Sequence, residues 1–298
     1  MLKARRFAGA IFNYLFLKAG KYKYIIFVLL IFISLYAFIS YNTNKSILIN
    51  TYLLRTPLLK EQSGIRIVLI SDLHSGIYGK EQEILIDAIK IAEPDLIILS
   101  DDIYDSIISM KGTDLLLSGI SGAAPVFYVT GNHEYQSRNI KTIREKLVSY
   151  KVNTLSDTYT KVKIRNNEII LAGIEDIKKK IYEKPDYNQI ESMEKAFRKL
   201  DEIPLYKILI AHRPENIENY KKFSFDLVLS GHTHGGQIII PNLINGLFAP
   251  NQGFFPKYAG GIYTHGKLTH IVSRGLSKKF MLPRIGNPLE LVIIELGG

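Results

Sequence analysis

Five short stretches of the chain carry residue types that bind metal ions and move protons, and each follows an apolar run. They are Asp72-Leu-His74, Asp101-Asp102-Ile-Tyr-Asp105, Gly131-Asn132-His133-Glu134, His212, and Gly231-His232-Thr-His234-Gly235-Gly236. They hold five of the seven histidines, leaving only His265 and His270 elsewhere. With no cysteine in the chain, a metal has to sit on His, Asp, Glu, Asn or backbone oxygen. A mixed nitrogen and oxygen set of this kind suits Mn²⁺, Fe or Zn²⁺. Two such cations roughly 3.5–4 Å apart, joined by a bridging carboxylate, lower the pKa of a shared water and clamp phosphoryl oxygens during in-line attack. A positioned histidine then supplies the proton that a leaving alkoxide needs.

Taken singly, each stretch has an ordinary explanation. Asp-x-His is commonly a surface turn, Asp101-Asp102 a helix N-cap, Gly131-Asn132 a turn, and His212 a satisfied core histidine. His232 and His234 are more telling, because alternate residues of extended chain point the same way and bring two imidazoles to one centre. The order of the five decides the matter. The runs ahead of them, Ile65–Ser71, Asp95–Ser100, Pro125–Thr130, Lys207–Ala211 and Phe225–Ser230, read as buried strands. Between them lie amphipathic helices over Lys80–Ala92 (stopped by Pro94), Arg138–Tyr150 and Tyr187–Leu200, and further strands over Glu168–Ala172, Lys267–Ser273 and Glu290–Leu296. In open α/β sheets ligands bind beyond the carboxyl ends of strands, so the five stretches are expected to converge on one patch.

The segment ahead of this pattern reads differently. No charged side chain occurs from Tyr24 to Asn44, and the eighteen residues from Tyr24 to Tyr41 would rise about 27 Å as a helix, close to a hydrocarbon core of about 30 Å. Tyr22, Tyr24 and Tyr41 stand where interfacial aromatics belong, and a cleaved signal peptide is the competing reading. The expected organisation is a basic cytoplasmic segment over 1–23, a single-pass transmembrane anchor over 24–44, a linker over 45–64 and one domain over 65–298. Lys3, Arg5, Arg6, Lys18, Lys21 and Lys23 precede the span, so the positive-inside rule keeps the N-terminus in the cytoplasm and places the catalytic domain outside the cell membrane. The net charge of +10 owes much to that cluster, and without aromatic interleaving it points to membrane lipid rather than to a nucleic acid. An apolar fraction of 47% with 22% charged residues excludes wholesale disorder.

The constellation Asp72-x-His74, Asp102-x-x-Asp105, Gly131-Asn132-His133-Glu134, Ala211-His212 and Gly231-His232-x-His234 resembles the calcineurin-like metallophosphoesterases over residues 65 to about 240. The tail, with Gly235-Gly236-Gln237, Leu247-Phe248-Ala249-Pro250, Ser273-Arg274-Gly275, Pro283-Arg284 and Pro288-Leu-Glu-Leu, looks like the bacterial membrane-associated branch of that family. The resemblance implies a four-layer α/β/β/α sandwich of two mixed sheets. It implies two divalent metal ions, Mn²⁺ before Fe or Zn²⁺: Asp72, His74 and His234 on the first, Asn132, His212 and His232 on the second, and Asp102 bridging. His133 would donate the proton and Asp105 would orient it. One departure stands out, since the family usually has Gly where this chain has Asp101. Asp101 is therefore an alternative ligand, and Asp102 is favoured because it keeps the spacing to Asp105.

The expected activity is hydrolysis of a phosphate mono- or diester, with an amphiphilic or lipid-linked substrate suggested by the anchor. Arg213, Arg274 and Arg284 are candidates to meet phosphate oxygens, and loops 103–124, 175–190 and 241–262 to select the substrate. Two alternatives compete. One is a cytoplasmic-face pyrophosphatase of a nucleotide-activated lipid such as a UDP-diacylglucosamine, which needs the opposite topology. The other is a non-catalytic metal-binding scaffold, which the full set of expected ligands disfavours. Oligomeric state and native metals are not written in these residues.

Overall fold

The computed structural model describes residues 22–43, 46–60, 64–278 and 283–298, so the basic stretch ahead of residue 22 lies outside the described residues. The strands are β1 (Ile47–Arg55), β2 (Ile65–Ser71), β3 (Leu96–Ser100), β4 (Val126–Val129), β5 (Asn153–Thr154), β6 (Thr158–Ile164) and β7 (Asn167–Ile174). They continue as β8 (Tyr206–Ala211), β9 (Leu227–Ser230), β10 (Phe248–Ala249), β11 (Gly253–Phe254), β12 (Gly261–His265), β13 (Leu268–Val272) and β14 (Leu289–Gly297). The helices include α1 (Lys23–Thr43), α2 (Glu83–Ile91), α3 (Lys111–Gly119), α4 (Asn132–Gln136), α5 (Ile140–Ser149), α6 (Lys179–Tyr182) and α7 (Gln189–Phe197).

Two six-stranded mixed sheets form, ordered β1-β14-β2-β3-β4-β5 and β12-β13-β9-β8-β7-β6. Their layering follows from the two-residue period of a strand. In β2, Ile67 and Leu69 face the second sheet, where they pack with Ile208, Ile210 and Leu229. Val68 and Ile70 face the opposite way, onto Leu85 and Ile89 of α2, Leu116 of α3 and Ile143 and Leu147 of α5. The second sheet does the same outward, with Leu209, Ala211 and Val228 against Met193 and Phe197 of α7. Three apolar cores thus separate four layers, helix, sheet, sheet and helix. Within this frame β2, β3 and β4 run parallel in one sheet and β7, β8 and β9 in the other.

Two expectations need correction. Residues 45–64 do not form a plain linker, because β1 pairs in parallel along its whole length with β14, from Ile47 opposite Leu289 to Arg55 opposite Gly297. Its partner is supplied from the other end of the chain, so no local pattern announces it. The single-pass anchor also falls: among the described residues no helix is long and apolar enough to cross a membrane. Tyr36 of α1 donates its hydroxyl to the Ile239 carbonyl at 2.6 Å, which rests this turn on the α/β domain. With the span goes the expected arrangement of a cytoplasmic N-terminus and an extracytoplasmic domain.

Candidate metal centre

The residues after β2, β3 and β9 leave their strands by a sharp turn of the backbone. Asp72 and His74 have φ of 49° and 47°, Asp101 and Asp102 66° and 48°, and His232 and His234 71° and 49°. Left-handed backbone at a residue with a Cβ costs on the order of 1–3 kcal/mol and persists only where its surroundings impose it. Here neighbouring strand ends do so: the Asp72 N–H donates to the Asp101 carbonyl (3.1 Å), that of His74 to Asp102 (2.9 Å), and that of Asp101 to Val129 (3.1 Å). Two glycines make room for the acidic groups. A Cβ on Gly131 would strike the Asp102 carboxylate, and one on Gly231 the side chains of Ser71 and Asp72.

At the centre stands one oxygen. Asp102 Oδ2 lies 3.8 Å from His74 Nε2 and 3.3 Å from His212 Nε2, while Oδ1 accepts the His133 backbone N–H at 2.7 Å. Asn132 Oδ1 is 3.0 Å from the same His212 nitrogen. Three sets of donor atoms each gather within 4.8 Å: Asp72, His74 and His234; His74, Asp102 and His133; and Asp102, His212 and His232. Donors about 2.1 Å from an octahedral cation stand about 3 Å from one another, so these spacings fit divalent ions. His74 Nε2 is buried without a hydrogen-bond partner, as an imidazole nitrogen meant for a cation would be.

Charge tells the same story. Burial alone would depress His212, but the Asp102 and Asp101 carboxylates outweigh it and hold the imidazole well above its ordinary pKa. Burial opposes ionisation of Asp102, yet His212, His133 and His74 hold it well below the carboxylate range. Burial and the neighbouring His212 and Arg213 push His232 well below the usual imidazole value, and burial with His74 and Arg284 does the same to His234. A cation requires neutral imidazoles, so binding one would displace the proton that His212 holds. His133 differs: against burial, its bond to Asp105 and the charge of Asp102 raise it to about 9. It is also the least buried of the five, with 29% of its side chain exposed.

The structure brings Asp72, His74, Asp102, Asn132, His212, His232 and His234 together, with His133 and Asp105 beside them. Asp101 is not the central carboxylate. It points behind His212, with Oδ2 3.6 Å from Nδ1. Asp105 lies 2.9 Å from His74 Nδ1 and 3.5 Å from His133 Nδ1, so it faces both rings, and Ser106 Oγ also meets His133 Nδ1 at 3.1 Å.

Of the three arginines, Arg213 brings its guanidinium beside a donor ring. Asp176 clamps it at 2.7 and 3.2 Å, and its Nη1 lies 3.3 Å from His232 Nε2. Arg284 is buried and donates to the carbonyls of Ser277, Arg274 and Gly275, and Arg274 donates to Asn245. Three functional neighbours received no individual role from the sequence. Glu134 accepts the backbone N–H of Gly131, Asp102 and Tyr104, tying two loops together, and its place in Gly-Asn-His-Glu was the available signal. Asp176, at the end of β7, was signalled only by that position. Asn251, at the tip of the β10–β11 hairpin and within the 241–262 loop expected to select the substrate, brings its amide 2.6 Å from His232 Nε2.

The fold and this donor set are those of a metallophosphoesterase domain. The sequence profile of the calcineurin-like phosphoesterases matches residues 65–236, and the chain belongs to that family. It is 30% identical over 242 residues to an uncharacterized metallophosphoesterase of Helicobacter pylori (strain ATCC 700392 / 26695), covering 80% of this chain and 61% of that protein. The chain thus spans about three fifths of that relative's length. Phosphodiesterase YaeI of Escherichia coli (strain K12) is 27% identical, with 78% of this chain and 82% of that one covered. Among solved structures, Haemophilus influenzae NAD nucleotidase superposes with a TM-score of 0.50 at 14% identity, over 72% of this chain and 45% of the other, a likeness of fold alone.

Proposed function

We propose that the protein hydrolyses phosphate esters, phosphodiesters first, with two divalent cations, Mn²⁺ before Fe or Zn²⁺. The observation that carries this reading is Asp102 Oδ2, a single carboxylate oxygen between His74 Nε2 at 3.8 Å and His212 Nε2 at 3.3 Å. Asp72, His74 and His234 would hold one cation, and Asn132, His212 and His232 the other, with Asp102 shared. When bound, such a pair supplies an activated water and neutralises charge on the phosphoryl group. The chain's own residues do the rest. His133, raised to about 9 and partly exposed, keeps its proton at neutral pH and delivers it to the departing oxygen. Asp105 holds the His133 ring, and Asp176 holds Arg213 so that its guanidinium meets a phosphoryl oxygen beside His232. Asn251 offers an amide at the same point.

The diester preference is supported by the name of the Escherichia coli relative and by the β10–β11 hairpin. Phe254 and Phe255 of that hairpin and its exit are 69% and 67% exposed. Phe254 is three residues from Asn251, hence within about 11 Å of it along the chain. An ester with an apolar substituent would cover them. A non-catalytic scaffold is disfavoured by the accessibility of His133, whose exposure such a role would not use.

The test is hydrolysis by chelator-treated protein, with Mn²⁺ restored, of a panel of phosphomonoesters, phosphodiesters and lipid phosphates. Activity on diesters that appears with Mn²⁺ and vanishes in Asp102→Asn is the expected result. Equal turnover with and without metal, or an undiminished Asp102→Asn, would overturn the reading.

A further inference from the structure

Behind the second donor group sits a carboxylate that the reading above leaves unused. Asp101 is fully buried, and its Oδ2 accepts the Ser100 hydroxyl at 2.5 Å and lies 3.6 Å from His212 Nδ1. The other face of the same imidazole presents Nε2 to Asn132 Oδ1 at 3.0 Å and Asp102 Oδ2 at 3.3 Å. His212 Nδ1 and Asp101 Oδ1 are both buried without a hydrogen-bond partner. An imidazole whose Nε2 lone pair faces a cation carries its proton on Nδ1, and a buried N–H needs an acceptor. Asp101 is the carboxylate within reach.

Its backbone is strained as well. At φ 66° Asp101 occupies the left-handed region, where glycine sits without strain and a residue with a Cβ does not. A glycine would also remove a buried carboxylate from beside Asp102. Against these, a glycine would orphan the buried Ser100 hydroxyl and empty the place beside His212 Nδ1, so the side chain is held by those two partners. We infer that Asp101 is a positioning residue for the second cation, fixing the tautomer and orientation of His212 through Nδ1 and strengthening its hold on the ion. This rests on the two-metal reading of the site. Outer carboxylates of this kind typically change metal affinity 10–100-fold.

The test is Mn²⁺ titration by calorimetry of chelator-treated wild type, Asp101→Gly and Asp101→Asn, with thermal unfolding of the same metal-free samples. Wild type should bind two ions. In Asp101→Gly one site weakens by roughly 10–100-fold and the other is unchanged. Asp101→Asn, which keeps an acceptor and the shape but not the charge, should fall between, and it gives the answer if the glycine variant does not fold. A packing role alone would lower the metal-free melting temperature and leave both affinities alone, and that result overturns the inference. Wild type binding fewer than two Mn²⁺ overturns the proposed function and this inference with it. Wild type binding two, with both variants binding them equally well, overturns the inference alone.

Discussion

Asp105 faces His74 more closely than it faces His133, with its Oδ2 2.9 Å from the Nδ1 of the first and 3.5 Å from that of the second. One carboxylate therefore serves a ring in the donor set and the ring that would donate the proton. Asp105→Asn should accordingly weaken Mn²⁺ binding at the site of His74, by roughly 10-fold or more, and lower kcat as well. Paired titrations and rate measurements at saturating Mn²⁺ separate the two effects. If metal affinity is untouched and only kcat falls, the bond to His74 is incidental.

His133 makes the complementary prediction. His133→Ala should lower kcat by roughly 10²–10⁴ with both metal affinities within a few-fold of wild type. The loss should be greatest for alkyl diesters, whose alkoxide needs the proton, and least for nitrophenyl esters, whose phenolate departs without one. A uniform loss across leaving groups would argue against proton donation.

Much of this site was legible in the sequence because each strand is a continuous apolar run and each chemical motif begins where the run stops. Ser71, Ser100 and Ser230 mark the last residues of three such strands, and the ligands follow at once. What was not legible depends on distant partners. Strand β1 looks like linker because its exposed and half-buried residues alternate and its partner begins at Leu289. Asp101 and Asp102 cannot be told apart by type, and only their opposite directions about His212 assign them. Arg213, Arg274 and Arg284 were equivalent as residue types. Asp176 selects the first, while burial among carbonyls consumes the third.

A pH effect follows from His270, which lies outside the metal cluster. Burial lowers it to about 3, and its Nε2 meets Ser230 Oγ at 3.1 Å. An unfolded chain takes up a proton there near pH 6.5, whereas the folded protein resists until about pH 3. Between those values the unfolded state binds more protons, so stability falls as pH falls from about 6.5 towards 3 and is unaffected above that window. Chelator-treated wild type should lose denaturation midpoint over this range faster than His270→Gln, which has no proton to accept. Parallel curves for the two proteins would show that His270 titrates normally in the fold.

The apolar hairpin yields the last prediction. Phe248 and Phe254 pack edge to face, with centroids 5.4 Å apart, which holds the turn that carries Asn251 to His232. Phe254 and Phe255 both remain largely open to solvent. If substrate covers them, Phe255→Ala should raise KM for diesters with long alkyl or aryl substituents by roughly 10-fold or more, since a buried phenyl side chain contributes about 1.5–3 kcal/mol. The same variant should hydrolyse a small dialkyl ester such as dimethyl phosphate at the wild-type kcat/KM, because that substrate reaches the donors without touching the hairpin. Asn251→Ala should behave in the opposite way, lowering kcat/KM for large and small esters alike, since its amide lies 2.6 Å from His232 Nε2, among the donors and away from the phenylalanines. Equal losses for both classes in Phe255→Ala would mean that the phenylalanines support the hairpin and do not select the substrate.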